Sequence, residues 1–327
     1  MVRCRRPTLF GVAHGGRASI VAVLVTLAVL GAPAVPETSA AAEIAAPVRP
    51  STSPGIGRAA TATATAQPLG ATQTVPLPAV PGVDGPALAG CDADLLQHLI
   101  ASDPTVLQWI MVVVPSTSAT TGTLALATVV GTMWSCTIAT TPAEVGRQGI
   151  RPLIMRRSGD DTTPSGIFPL GVVATPQGPV SFFGNSADPG ANGPYRRVQP
   201  GDCYGANPNT PGYGHWRVDR TNCTGADELL AVNVQAYEHA VLIGANTEPD
   251  VSGDAPGESP YAAAIFLHRT VLTTGGQPKP TSGCVSIGHD QLVAAVRAID
   301  PLSNPRFAIG TRENLSTIAP RGSLPHR

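Results

Sequence analysis

Apolar positions fall into three regimes along this chain. Ala18 to Leu30 is an uncharged apolar run behind Arg3, Arg5, Arg6 and Arg17. Residues 41–90 show no helical or strand period: Ala, Pro and Thr dominate, Thr61–Ala66 reads TATATA, and the charges are Glu43, Arg49, Arg58 and Asp84. From residue 91 onward, short β-leaning runs are separated by turn residues. Val106–Val114, Gly122–Val130, Trp134–Ala139, Leu153–Arg156, Ile167–Val173, Leu229–Val234, Ala240–Ala245 and Ala262–His268 are predicted strands. One helix is clear near the C-terminus. Across Asp290–Asp300, Leu292, Val296 and Ile299 recur at four- and three-residue steps, and Pro301 stops the pattern. Many short strands without an alternating βα rhythm predict a mainly β fold, a β-sandwich or barrel-like domain. No repeat has the period of a solenoid or propeller.

The N-terminal pattern is that of a secretory signal over residues 1–40, with Thr38-Ser39-Ala40 or Ala40-Ala41-Ala42 as cleavage sites. Extended to Val35, the apolar run approaches the ~18 residues of a membrane span, so an uncleaved N-terminal anchor is the alternative. Cys4 precedes the run, where a lipoprotein cysteine would follow it. No second segment is apolar for long enough to cross a bilayer. Residues 41–90 bury too little apolar surface to offset ordering entropy and read as an Ala/Pro/Thr-rich linker. The folded domain is expected over 91–311, followed by a polar tail, 312–327. The expected location is secreted, in the cell wall or periplasmic space, outside the cytoplasmic membrane.

Composition narrows the function classes. Lys and Arg total 21 against 22 Asp and Glu, a net charge of −1 that excludes a strongly basic nucleic-acid binder. Apolar residues make up 43% of the chain, enough for a real core despite 35 Gly and 33 Pro. No His/Cys cluster has zinc spacing, and H-E-x-x-H, G-x-S-x-G and P-loop patterns are absent. Asp250-Val251-Ser252-Gly253-Asp254 lacks the glycine and terminal glutamate of an EF-hand and reads as an acidic exposed loop.

With Cys4 removed alongside the signal, Cys91, Cys136, Cys203, Cys223 and Cys284 remain, an odd number. Cys203 and Cys223 bracket a Gly/Pro/Asn-rich loop and are the natural pair to staple it. Cys91 and Cys136 would then pin the start of the domain to an early strand. Elimination leaves Cys284 free, although four other choices of unpaired cysteine exist. His268 ends one β-leaning run and Cys284 begins the next, across a connection rich in Gly and Pro. A thiol is mostly protonated at neutral pH, and an imidazole within reach can take its proton. Gly283 lets the backbone approach closely, so amides near Gly283 and Cys284 are candidate oxyanion donors, with Ser282 shaping the loop. The competing reading makes Cys284 a small buried hydrophobe and His268 a core residue.

These residues carry a family resemblance. His268, Thr281, Gly283 and Cys284 follow the order of the L,D-transpeptidase (YkuD-type) motif: a His, a connection, then Ser/Thr-His-Gly-Cys. Thr163-Pro164-Ser165-Gly166-Ile167-Phe168 is similar to the family's T-P-x-G-x-F turn. Phe266-Leu267-His268 with Gly283-Cys284-Val285-Ser286 is especially similar to a secreted actinobacterial branch. The resemblance spans roughly 105–310 and is strong only at these two stretches. Ser282 stands where the common motif has His, and Ser286 where it has Arg or Asn; Arg269 or Lys279 is the candidate replacement cation. The resemblance implies that Cys284 attacks a peptidoglycan stem peptide, releases D-Ala and passes the acyl group to an amine (crosslinking) or to water (carboxypeptidase activity). It also implies acylation by carbapenem β-lactams and chemistry that needs no metal or organic cofactor.

Around this centre, Tyr237 is a candidate substrate contact, and Trp216 is expected to anchor the Cys203–Cys223 loop on the core. Two other classes stay open: an inactive relative that serves as a cell-wall-binding module, and a secreted cysteine peptidase.

Overall fold

The structure is a computed structural model and describes residue 82, residues 86–218 and residues 223–318. The signal or anchor (1–40), most of the 41–90 linker and the end of the polar tail lie outside the described residues. The described part is mainly β. A helix α1 (Ala93–Ser102) precedes β1 (Gln108–Val114), β2 (Thr121–Val130), β3 (Met133–Glu144), β4 (Ile150–Pro152) and β5 (Thr163–Pro169). Then come β6 (Phe182–Gly184), β7 (Tyr195–Arg197), β8 (Cys203–Tyr204), β9 (Trp216–Arg217), β10 (Glu228–Leu229) and β11 (Ala240–Leu242). The chain closes with β12 (Phe266–Arg269), β13 (Val285–Ile287), α2 (His289–Ala298), β14 (Arg306–Thr311) and α3 (Arg312–Ser316).

Eleven strands form one mixed sheet in the order β4-β5-β14-β1-β2-β3-β13-β12-β11-β6-β7. A smaller sheet has the order β10-β8-β9. Strand alternation assigns the faces of the large sheet. Ile110, Val112 and Val114 of β1 and Leu124 and Leu126 of β2 share a core with Leu267, Val285 and Ile287. Leu292, Ala295, Val296 and Ile299 from α2 and the residue after it complete that core. Residues from both halves of the strand order thus meet in one core, so the large sheet curls around it. The other face of β1 and β2, with Trp109, Met111 and Ala125, packs on α1 and on Leu315 of α3. A third cluster joins Phe183, Phe266 and Leu242 of the large sheet to Tyr204, Trp216 and Leu230 in and beside the small one.

Four local expectations are revised. Leu153–Arg156 is not a strand: Leu153–Met155 is a short 3-10 turn entered from Pro152. Ile154 and Met155 are 71% and 60% exposed, so the apolar run never alternates between two faces. In Leu229–Val234 only the first residue lies in a strand, and the residues after it form turns. Helix α1 is an element that the strand-like pattern hides, although Asp92 caps it by accepting from Leu95 N at 3.0 Å and Leu95, Leu96, Leu99 and Ile100 face the core. Finally, Arg312–Ser316 is a helix with Leu315 buried, so the fold extends past residue 311.

Candidate active site

Cys91 pairs with Cys136 and Cys203 with Cys223 as disulfides, and Cys284 is free. Strands β12 and β13 run parallel, with Leu267 beside Val285 and His268 beside Ser286. Leu267 and Val285 enter the main core. Alternation therefore turns His268, Ser286 and Cys284, two residues before Ser286, toward the opposite face. There Cys284 packs against the aromatic cluster. Cys284 and His268 line one cavity of about 270 Å³, together with Glu228, Tyr237, Lys279, Thr281 and Ser282. A second cavity of about 250 Å³ lies against Cys284 beside Arg156, Ser158, Asp161 and Gly283. Among the described residues, only Cys284, Ser282 and Glu228 line both.

The loop carrying Cys284 is fixed by its own sequence and by the distant T-P-x-G-x-F turn. Thr281 N donates to Val145 O at 2.9 Å, and Thr281 Oγ1 donates to Cys284 O at 2.6 Å. Thr163 Oγ1 also donates to Cys284 O, at 3.2 Å, while accepting from Gly146 N at 2.8 Å. The two stretches singled out in the sequence are thus joined by a hydrogen bond across 121 residues. Gly283 has φ +141°, and a Cβ there would stand 2.5 Å from Arg156 Nη2. Glycine is required both for that backbone conformation and for the close approach. Gly283 N–H donates to Thr281 Oγ1 at 3.1 Å, so in the resting loop it is not aimed at a substrate. Ser282 is exposed, and its hydroxyl accepts from Arg147 Nη2 at 3.0 Å.

Electrostatics leave both the Cys284 thiol and the His268 imidazole that line this cavity neutral. Burial pushes the Cys284 thiol up to about 12; the Glu228 carboxyl adds to the rise, while Phe266 N–H and Arg156 oppose it. The Cys284 thiol also donates to Ala264 O at 3.4 Å, a bond that favours the protonated form. Burial holds His268 down at about 4, and it is 7% exposed. Its Nδ1 lies 2.8 Å from Arg269 O, and a carbonyl only accepts, so Nδ1 carries the proton and Nε2 keeps a free lone pair. Tyr237 packs edge-on to the His268 ring, with centroids 5.7 Å apart, and donates from its hydroxyl to Glu228 Oε2 at 2.8 Å.

The two cations nominated in the sequence are placed differently. Lys279 is exposed at the rim of the Cys284 cavity. Arg269 is turned away from it, paired with Glu238 at 2.5 Å, and lines another cavity with Glu144 and His289. The buried cation beside the nucleophile loop is Arg156, which sequence reasoning missed. It is buried, donates from Nε to Thr162 O at 2.8 Å and from Nη2 to Ser282 O at 3.3 Å, and pairs with Asp160 at 3.3 Å. Glu228 was missed as well; its one signal was its place five residues after Cys223, at the foot of the stapled loop. Trp216 anchors that loop as expected, edge-on to Phe183 with centroids 5.2 Å apart. No group of three or more His, Cys, Asp or Glu among the described residues is arranged to hold a metal ion. Among the same residues, no helix is long and apolar enough to cross a membrane. No protein-family model, curated protein or solved structure matches the chain.

Proposed function

We propose that this chain is an exported cysteine acyltransferase of the L,D-transpeptidase type that acts on peptidoglycan stem peptides. The observation that carries the reading is the shared cavity of Cys284 and His268: the one unbridged thiol among the described residues and a neutral imidazole with a free Nε2 face the same space. A curled mixed sheet with the nucleophile loop entering β13 accords with it. The two disulfides fit an oxidising compartment.

In this reading a stem-peptide carbonyl meets Cys284 Sγ as His268 Nε2 takes the thiol proton. A resting thiol near 12 and an imidazole near 4 make the proton transfer part of the attack and leave no standing ion pair. Negative charge on the tetrahedral oxygen would draw on the Cys284 N–H and the Arg156 guanidinium, since Gly283 N–H already serves Thr281. Collapse releases D-Ala and leaves a thioester, which an amine or water then resolves. A cavity on each side of the sulfur suits such a two-step exchange, one for the donor stem and one for the acceptor.

Intact-mass spectrometry with a carbapenem tests the nucleophile. The expected result is a stoichiometric adduct on the native chain and none on Cys284→Ala. No adduct on the native chain, or an adduct that survives the substitution, removes the assignment. A cell-wall-binding module without turnover is the second reading, and the high thiol value favours it. That module would bind wall polymer and remain unmodified by the carbapenem.

A further inference from the structure

We infer that Glu228 is a second acid–base group of this site: its carboxyl protonates the amine that leaves and deprotonates the amine that enters. The inference rests on the acyl-transfer reading above and identifies the residue that handles the amine nitrogen.

Position is the first argument. Among the described residues, Glu228 is the only titratable side chain besides Cys284 that lines both cavities flanking the sulfur. A donor amine departing into one cavity and an acceptor amine arriving from the other both pass this carboxyl. Strand β10 presents it, pairing with β8 through Glu228–Tyr204 and Leu229–Cys203. The Cys203–Cys223 disulfide ties the loop before β10 to β8, so the element bearing Glu228 is held against the site covalently as well as by the ladder. Tyr237 fixes Oε2 from the other side.

Chemistry is the second. A carboxylate beside a nucleophilic sulfur opposes thiolate formation, and Glu228 contributes to the rise in the Cys284 value. Burial raises the carboxyl's own value, against the Tyr237 hydrogen bond that lowers it. His268 lines only the cavity with Tyr237 and Lys279, whereas Glu228 also lines the one beside Arg156.

The proton balance closes. In acylation the S–H proton moves to His268 Nε2, the C–S bond forms, the C–N bond breaks and the leaving nitrogen takes the Glu228 proton. The site is then imidazolium, carboxylate and thioester. In the second half, a neutral amine attacks the thioester carbonyl and gives its proton to Glu228. The C–S bond breaks, and sulfur recovers its proton from His268. Both groups end as they began.

The test compares two donors with one acyl part, a tetrapeptide stem ending in D-Ala and the corresponding tripeptide 4-nitrophenyl ester, on the native chain and on Glu228→Gln. Nitrophenolate leaves without a proton, so acyl-Cys284 formation from the ester bypasses the acid step. General acid catalysis contributes ~100-fold or more, so the amide-to-ester rate ratio is expected to fall about 100-fold in Glu228→Gln. An unchanged ratio, whether both rates fall together or neither falls, overturns the inference. If Glu228→Gln does not fold, Glu228→Asp keeps a carboxyl for Tyr237 but shortens its reach, and the same ratio must fall. No acyl-Cys284 from either donor on the native chain would instead overturn the acyl-transfer reading.

Discussion

The sharpest consequence of the site concerns an ordinary alkylating agent. Cys284 packs partly buried on the aromatic cluster and lies near the Glu228 carboxyl; desolvation and that carboxyl, against Phe266 N–H and Arg156, push its thiol from the ordinary 9.0 to about 12. That difference corresponds to about 4 kcal/mol and about a thousandfold smaller thiolate fraction at neutral pH. Iodoacetamide reacts with thiolate, and no base is positioned by this reagent as it would be by a substrate carbonyl. The perturbation is pH, and the assay is the second-order alkylation rate of Cys284, followed by intact mass with the disulfides left oxidised. The rate at pH 7 should lie about a thousandfold below that of a free cysteine-containing peptide. It should climb tenfold per pH unit to at least pH 10 without a plateau. A plateau below pH 9 at a rate near the peptide's would mean a standing thiolate–imidazolium pair, and the neutral-pair reasoning would be wrong.

Two further outcomes come from the scaffold. The Cys203–Cys223 bridge closes a separation of 20 residues and Cys91–Cys136 one of 45; chain entropy gives about 3 and about 4 kcal/mol of stabilisation respectively. Denaturant unfolding of Cys203→Ser/Cys223→Ser should show roughly the smaller loss, and carbapenem acylation should fall further than unfolding explains because β10 loses its tether. Glu144 is 6% exposed, its side chain makes no hydrogen bond or ion pair among the described residues, and it is raised above its ordinary 4.5 by burial alone. A carboxyl raised in the folded state binds more protons there than when unfolded, so its contribution to stability is full below 4.5 and lost as pH rises through the folded value. Glu144→Gln should therefore raise the Tm at pH 7 and leave it unchanged at pH 4; a lower Tm at pH 7 would show a partner for the carboxylate.

How much of this was legible in the sequence depends on the range of the interactions. The pairing of cysteines followed from local loop chemistry around Cys203 and Cys223. The β12–β13 neighbourhood followed from two apolar runs, and α2 from its period and Pro301. Asp92, Leu95, Leu96, Leu99 and Ile100 carried the signal for α1 as well, a side-chain cap before an apolar stripe, but eight to ten residues of it are easily lost among strand-like runs. Arg156 and Glu228 were not legible. Each reaches Cys284 from an element more than 50 residues away in sequence, and nothing local marks either side chain as turned inward. The run Leu153–Arg156 even misled, because three apolar residues before an arginine look like a strand whether or not a sheet receives them.

The high thiol value also answers a difficulty raised by the compartment. An unbridged cysteine outside the cytoplasm faces oxidants and disulfide exchange, both of which act on the thiolate. A low-pKa Cys284 would be reactive toward every such partner before a substrate arrived. Burial suppresses the thiolate in the resting site, and in the proposed acyl transfer His268, neutral and with Nε2 unengaged, would restore reactivity only when a carbonyl is presented to the sulfur, so that bond formation and proton transfer occur together. On this argument the feature that makes the thiol look inert is what lets a lone cysteine persist there. Native Cys284 should resist hydrogen peroxide at pH 7 yet acylate with a carbapenem in the same buffer. Oxidation of Cys284 as rapid as that of an exposed thiol would undo the link between burial and persistence.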